Sequence, residues 1–224
     1  MTALLSKPSK MPGTSFSVPA QACITGAKLA KIAGSVCFEC YALKGAYRYP
    51  VVKKALQVRL DFLNSASFVV DMVALLNNKK ASEHRWFDSG DVHSVAHCLK
   101  IIAVCKATPH KKHWIPTKER KLWQQALTME SLPDNAVVRY SATMVDEAPP
   151  AKWENSSAVF TDIKNAVGKL CEAYRTKKNG DMISNQEYKT LKKNKQLSTI
   201  DLGHCGNCRA CWSRDVKTVT YPKH

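Results

Sequence analysis

The chain has 224 residues, enough for one large domain with a buried core. Its 34 lysines and arginines against 18 aspartates and glutamates give a formal net charge of +16, which attracts polyanions and speeds encounters with phosphate-bearing partners without identifying them. No apolar run approaches the roughly 20 residues of a membrane helix, and MTALLSKPSK lacks the features of a secretory signal, so a membrane partner is excluded and a cytoplasmic protein is expected.

In chain order, TSFSVP (14–19) is a short extended segment, and Gly26 and Gly34 bracket a turn or helix between Cys23 and Cys37. A helical stretch over 40–64 is interrupted at Pro50, where a new helix starts because proline tolerates the first turn. Val51, Ala55, Val58 and Phe62 mark its apolar face, and a second helix over 67–77 follows, capped by Ser65 or Ser67. HRWFDSGD and HKKHWIPTKE each read as a strand running into a polar turn, followed by helices over 94–106 and 119–129. NAVVRYSAT and SSAVFTDI are two further strands. The stretch 173–198 is polar and lysine-rich, an exposed helical insertion, and DVKTVTYPKH adds an edge strand.

Strands alternating with helices predict a parallel α/β sheet with crossover helices, in which a site belongs at the carboxyl ends of the strands. The expected fold is a partial or distorted (β/α) barrel in a single domain over 1–224. It divides into a cysteine-rich N-terminal segment (1–50), a (β/α) core (51–170) and a cysteine-rich C-terminal extension (171–224). Polar residues fall at the strand tips: Asp88, Ser89 and Asp91; Thr117, Lys118 and Glu119; Arg139 and Ser141; Asp162. Each also has a plain reading as a helix cap or a solvated side chain. Taken together they form a candidate rim. Lys118 and Arg139 would hold an anionic group, Asp88, Asp91 or Glu119 would exchange protons, and Ser89, Thr117 and Ser141 would line a cofactor.

The nine cysteines carry the chemistry. In a reducing compartment clustered cysteines read as metal-binding or redox-active rather than as disulfides. In GHCGNCRACW, Cys205, Cys208 and Cys211 stand two residues apart, a pitch that lets a tight turn point sulfurs at one centre, and Cys171 would make a fourth ligand. Zinc ribbons supply two separated pairs, whereas a tight three-cysteine run supplies three corners of a cubane, so a [4Fe-4S] cluster is expected, with zinc as the alternative. Cys23, Cys37 and Cys40 make a second, three-thiolate set. It is either a second cluster with an open iron or part of one site shared with the terminal run, giving one or two clusters in all. His93, His113 and His204 are substitutes for a cysteine ligand, each with a plain reading as an ordinary polar residue. Cys98 and Cys105, on one helical stripe, are read as buried small side chains.

The blocks GSVCFECYALKGAYR, HRWFDSGDVHS, HWIPTKE, RYSAT and CGNCRACW, in this order over 15–224, resemble the phage-encoded proteins of the gene product 88 type, a family without an established activity. The resemblance implies an iron–sulfur protein with a barrel-like α/β core, similar to radical S-adenosylmethionine enzymes. Its implied ligands are Cys37 and Cys40 with Cys205, Cys208 and Cys211, joined less securely by Cys23 and Cys171. The chain departs from the radical enzymes' CxxxCxxC, since thirteen residues separate Cys23 from Cys37, and no glycine-rich cofactor loop is evident. S-adenosylmethionine is therefore not assigned as a ligand. The rival reading, from the charge, the lysine-rich insertion and an exposed Trp212, is a non-catalytic nucleic-acid-binding protein stabilised by zinc or a cluster. A third is a structural cluster in a protein that modulates a host partner.

Overall fold

The computed structural model describes residues 4–171, 173–179, 181–183 and 185–223. The chain opens with β1 (Thr14–Phe16), α1 (Thr25–Leu29), α2 (Pro50–Asn64) and α3 (Phe68–Asn77). It continues through β2 (Glu83–Trp86), α4 (Val95–Ala107), β3 (Lys112–Thr117), α5 (Arg120–Met129), β4 (Ala136–Ser141) and β5 (Ser156–Phe160). The last third holds β6 (Lys169–Leu170), β7 (Thr176–Lys177), α6 (Asn185–Lys193), β8 (Ile200–Asp201) and β9 (Thr218–Pro222).

Seven strands form one sheet in the order β1-β2-β3-β4-β5-β9-β6, every neighbouring pair parallel. The first five strands lie side by side in chain order, as barrel strands do, but the sheet is open: it ends at β1 and β6. Antiparallel β7 and β8 make a small separate sheet.

Alternation along the strands decides what covers each face. Phe16, Trp86, Ile115, Ala136 and Val138 look toward the helices and pack with Leu63 of α2, Phe68, Met72 and Leu76 of α3, Ile101 and Ile102 of α4, and Trp123 of α5. The opposite register row runs Ser15, Arg85, Trp114, Val137. In a closed barrel that row would face the interior. Here Trp114, Val137 and Val219 are covered by Cys211 and Trp212 of the C-terminal segment.

Three expectations are corrected. The buried face of α2 carries Leu56 and Leu63, while Val51 is 73% exposed; the helix has apolar residues on adjoining stripes, and packing against α3 and the sheet selects one of them. The last strand, β9, is not an edge. It lies between β5 and β6 with Val219 and Thr220 buried, because a parallel partner on each side satisfies its backbone. Trp212, read as exposed, is 7% exposed and donates Nε1–H to the carbonyl of His84. Among the described residues of 173–198, the helical parts are α6 and the start of a short turn at Leu197–Thr199.

Other local readings agree. Pro50 is in the first turn of α2, Ser94 caps α4 by accepting the His97 N–H at 3.2 Å, and Cys98 and Cys105 are fully buried. The expected cap of α3 is not made: Ser67 stands at the N-cap position without a side-chain capping bond, and Ser65 Oγ donates instead to the Phe62 carbonyl at 2.8 Å. Among the described residues no single helix is long and apolar enough to cross a membrane. The bent pair α2 and α3 meets that length and composition together, at 118°, but α3 turns Phe68, Met72 and Leu76 into the core.

Two histidines sit in that core. Trp86 Nε1–H donates to His113 Nδ1 at 3.3 Å, so the His113 proton is on Nε2 and is given to Thr108 Oγ1 at 2.9 Å, which in turn donates to the Val104 carbonyl at 2.7 Å. The chain of donors has no place for a second proton, and burial pushes His113 down to about 3. His84 is lowered too, by burial first and then by His113. A histidine lowered in the fold but titrating near 6.5 when unfolded gives stability that is complete above that pH and is lost as pH falls toward the folded value. The expected slope is about 1.4 kcal/mol per pH unit for each such histidine. Urea midpoints between pH 7 and pH 5 should therefore fall steeply in the parent chain and less so in His113→Gln. An unchanged slope in that variant would show that the proton is taken up elsewhere.

Candidate metal centre

Seven of the nine cysteines fall in two groups. The first, Cys23, Cys37 and Cys40, belongs to a segment folded over the carboxyl ends of β2, β3 and β4. Short helical turns at Ala20–Ala22, Tyr41–Leu43 and Gly45–Arg48 keep it compact, and backbone bonds Val36 N–H to Thr143 O and Val145 N–H to Gly34 O tie it to the end of β4. Glu119, 5% exposed, accepts from Thr25 N–H at 2.6 Å and Thr25 Oγ1 at 2.8 Å, tying α1 to the tip of β3. Asp91, 6% exposed, accepts from Val92 N–H, Thr117 Oγ1 and Lys118 N–H at 2.7–2.8 Å. Burial nevertheless pushes the Asp91 carboxyl up to about 7, against those three donors.

Asp91 and Glu119 are charge neighbours of both Cys23 and Cys37, and Lys118 is a charge neighbour of Cys37. Burial, then Asp91 and the other thiols, pushes Cys23 up to about 12. Burial raises Cys37 as well, with Lys118 pulling the other way. Gly26 lies between the sulfurs: a Cβ built on it would stand 3.6 Å from Cys23 Sγ and 3.7 Å from Cys37 Sγ.

The second group is Cys171, Cys205, Cys208 and Cys211. All four line one cavity with His204, Lys169, Ala173 and Trp212, next to the second face of the sheet, where Cys171 and Cys211 pack with Trp114 and Tyr221. The Tyr221 hydroxyl lies 3.1 Å from Cys211 Sγ. Cys205 N–H bonds to Lys10 O, and Arg209 Nε to Glu83 Oε1 at 2.5 Å, fastening the run to the start of the sheet. Burial pushes Cys211 up to about 12, opposed by the Tyr221 hydrogen bond and by Arg139. Cys205 is raised by burial, then by Cys171 and Cys208, with Arg209 and Arg85 opposing. The thiol charge neighbours of Cys23, Cys37, Cys205 and Cys211 each come from the same group.

Arg139 is not on the rim. It is fully buried, and its guanidinium lies on the second face, where it donates to five backbone carbonyls: Ser156, Val216 and Lys217 through Nη1, Ala210 and Ser213 through Nη2, at 2.9–3.2 Å. A strand-end arginine reads the same from sequence whichever way it points, and the register of β4 turned this one inward. Burial lowers its pKa while Tyr221 and Cys211 oppose that.

The other rim residues have local duties. Asp88 pairs with Arg85 at 2.9 Å and takes the Tyr41 hydroxyl on its carbonyl. Ser89, buried, donates to Val18 O at 2.8 Å, and Ser141 accepts from Ser157 Oγ at 3.3 Å. Thr117 joins Asp91 to the Glu119 N–H, and Asp162 caps the turn at Ile163–Asn165 through Lys164 N–H. His113 is in the core, whereas His204 lines the second cavity. His93 Nε2 is buried without a hydrogen-bond partner among the described residues.

Two features escaped the sequence reading. Arg85 lies 4.6 Å over the Trp114 ring and is a charge neighbour of Cys211. Burial works against its charge, but Tyr41, Asp88, Tyr221 and Cys211 outweigh burial and hold it above its ordinary value. The second feature is the turn after β2, where Phe87 takes φ 54° and Gly90 φ 79°. A Cβ on Gly90 would come within 2.6 Å of Val18 O, so glycine is required for the rim loop to close onto β1. Only the glycine was visible beforehand.

Among the described residues no three His, Cys, Asp or Glu side chains meet closely enough to hold one metal ion.

Arg139→Lys provides a direct test of the clamp. A lysine has no planar fork to hold carbonyls from two segments at once, so the variant should lose about 3 kcal/mol or more of unfolding stability. Amide protection should collapse over residues 210–217 while α3 keeps its own. Protection at 210–217 equal to that of the parent would refute the clamp.

No curated protein and no solved structure matches the chain. The family model for Gene product 88 matches residues 2–214. That span takes in both cysteine groups, every strand but β9 and the clamp residue Arg139, and the chain belongs to the Gene product 88 family.

Proposed function

We propose that this is an iron–sulfur protein with two thiolate sites. The observation that carries the reading is the convergence of Cys171 with Cys205, Cys208 and Cys211 around one cavity, from positions more than thirty residues apart in sequence. Cys205 and Cys211, raised by burial and by neighbouring thiols, gain little from those neighbours unless a cation replaces their protons. Lys10, Arg85, Arg139 and Arg209 are charge neighbours of this group. Arg85 Nε and Arg139 Nε are buried without partners among the described residues, as expected beside an anionic centre. A tight three-cysteine run joined by one distant thiol suits a polynuclear cluster, whose irons take ligands at separate corners, better than the two separated pairs of a zinc ribbon.

Cys23, Cys37 and Cys40 would hold the second centre, with Gly26 leaving room beside two of the sulfurs. Three thiolates leave one coordination position open, and a cluster bound there would supply redox or Lewis-acid chemistry. Around that position the chain offers Lys118, placed to attract an anionic group beside Cys37, and Asp91, whose carboxyl is pushed up to about 7 and so can hold or release a proton near neutrality. Glu119 positions the segment through Thr25. The terminal site, where Cys211 packs with Trp212 and Tyr221 against the sheet, suits a structural or electron-relay role.

Protein purified without oxygen should contain about eight irons with matching inorganic sulfide, the content of two four-iron cubanes. Cys37→Ala should lose roughly half of both while Cys98→Ala keeps all of it. About four irons would limit the reading to one site, and zinc without sulfide would overturn it.

A further inference from the structure

Seven of the eleven exposed large apolar side chains among the described residues lie between Ile24 and Val51, in the segment that folds over the strand tips. Three are aromatic: Phe38 is 50% exposed, Tyr41 56% and Tyr49 61%. The same surface exposes Lys28, Lys31, Lys44, Arg48, Lys53 and Lys54. Before Asp61 the only acidic residue in the sequence is Glu39, against nine lysines and arginines. Glu39 reaches Lys44 at 3.8 Å.

Tyr41 is held through its hydroxyl on the Asp88 carbonyl and packs edge to face with Tyr47 at 5.8 Å. Tyr49 directly precedes α2, whose first turns carry Lys53 and Lys54. Phe38 stands between the ligand candidates Cys37 and Cys40.

We propose that this surface, residues 24–54, binds single-stranded nucleic acid, with Phe38, Tyr41 and Tyr49 as stacking platforms and the surrounding lysines and arginine as the phosphate track. Exposed rings among cations are what unstacked bases and a phosphate backbone require together, and duplex bases cannot reach such rings. A second copy of the chain is a poor occupant, because a two-fold contact would oppose two strongly basic patches. An acidic protein would satisfy the charges without needing open ring faces. The proposal goes beyond the cluster reading and does not need it: the strand binds whether or not iron lies beneath.

The test is fluorescence anisotropy of labelled oligo(dT) and oligo(rU) with the anaerobically purified full chain, titrated with salt and compared with a duplex and with anionic lipid vesicles. Single strands should bind more tightly than the duplex, and the two arms report whether DNA or RNA is preferred. Tyr49→Ala and Phe38→Ala should each weaken binding by about fivefold or more at fixed salt. The double variant Lys53→Ala, Lys54→Ala should reduce the slope of log affinity against log salt by about 1.4. Iron measured on the same preparations separates the two readings, and Tyr49 and the lysine pair lie outside the ligand run, so lost binding with unchanged iron supports this surface alone. The proposal is overturned by absence of single-strand binding at low salt, by equal affinity for duplex or vesicles, by ring variants that bind as the parent does, or by abolition of binding through Lys189→Ala, Lys192→Ala on α6 instead.

Discussion

The buried guanidinium of Arg139 is the constraint on which the rest depends. A parallel sheet must cover both faces. Helices cover one in this chain, but the sheet is open, so no neighbouring strand wall encloses the other. The C-terminal segment does that work, and Arg139 holds it through carbonyls of Ala210, Ser213, Val216 and Lys217 while also bonding to Ser156 of β5. Without that fork, the polar backbone around Cys211 and Trp212 would have to lie against Trp114 and Val137 with its acceptors unsatisfied.

The clamp also explains why the terminal cysteines are placed as they are. Arg139 fixes residues 210–217, Trp212 anchors to His84, Arg209 to Glu83 and Cys205 to Lys10, so the run is held at intervals of a few residues. Cys171, following β6, reaches the same cavity because β6 pairs with β9 and is hydrogen-bonded through to Thr220. The positive charges that secure the segment are the ones that would offset the charge of a thiolate centre. Fold stability and site electrostatics therefore share side chains, and a change at Arg139 or Arg85 acts on both.

The first cysteine group is organised differently, by two buried carboxylates. Glu119 grips Thr25, and Asp91 gathers the loops after β2 and β3. The segment they hold carries exposed rings and cations, whereas in the terminal group Cys211 is buried against the sheet and its aromatic neighbours while Cys171, Cys205 and Cys208 are partly exposed. Under the proposed reading, the exposed surface around the first group suits chemistry and the packing of Cys211 against the sheet suits support or electron relay.

Much was determined by the sequence itself. The pitch of Cys205, Cys208 and Cys211 is local, Pro50 and Ser94 set helix starts by backbone chemistry, and the alternation of strand-like and helix-like stretches implied a parallel sheet, because these signals depend on neighbours within a few residues. The direction of Arg139, the insertion of β9 between β5 and β6, the stripe of α2 that is buried, and the separation of the cysteines into two groups were decided only by the tertiary structure. Each depends on which distant segment covers a face. A strand-end arginine, a short β-branched run or a helix with two apolar stripes can satisfy its local preferences in more than one way, and burial against a particular partner selects among them.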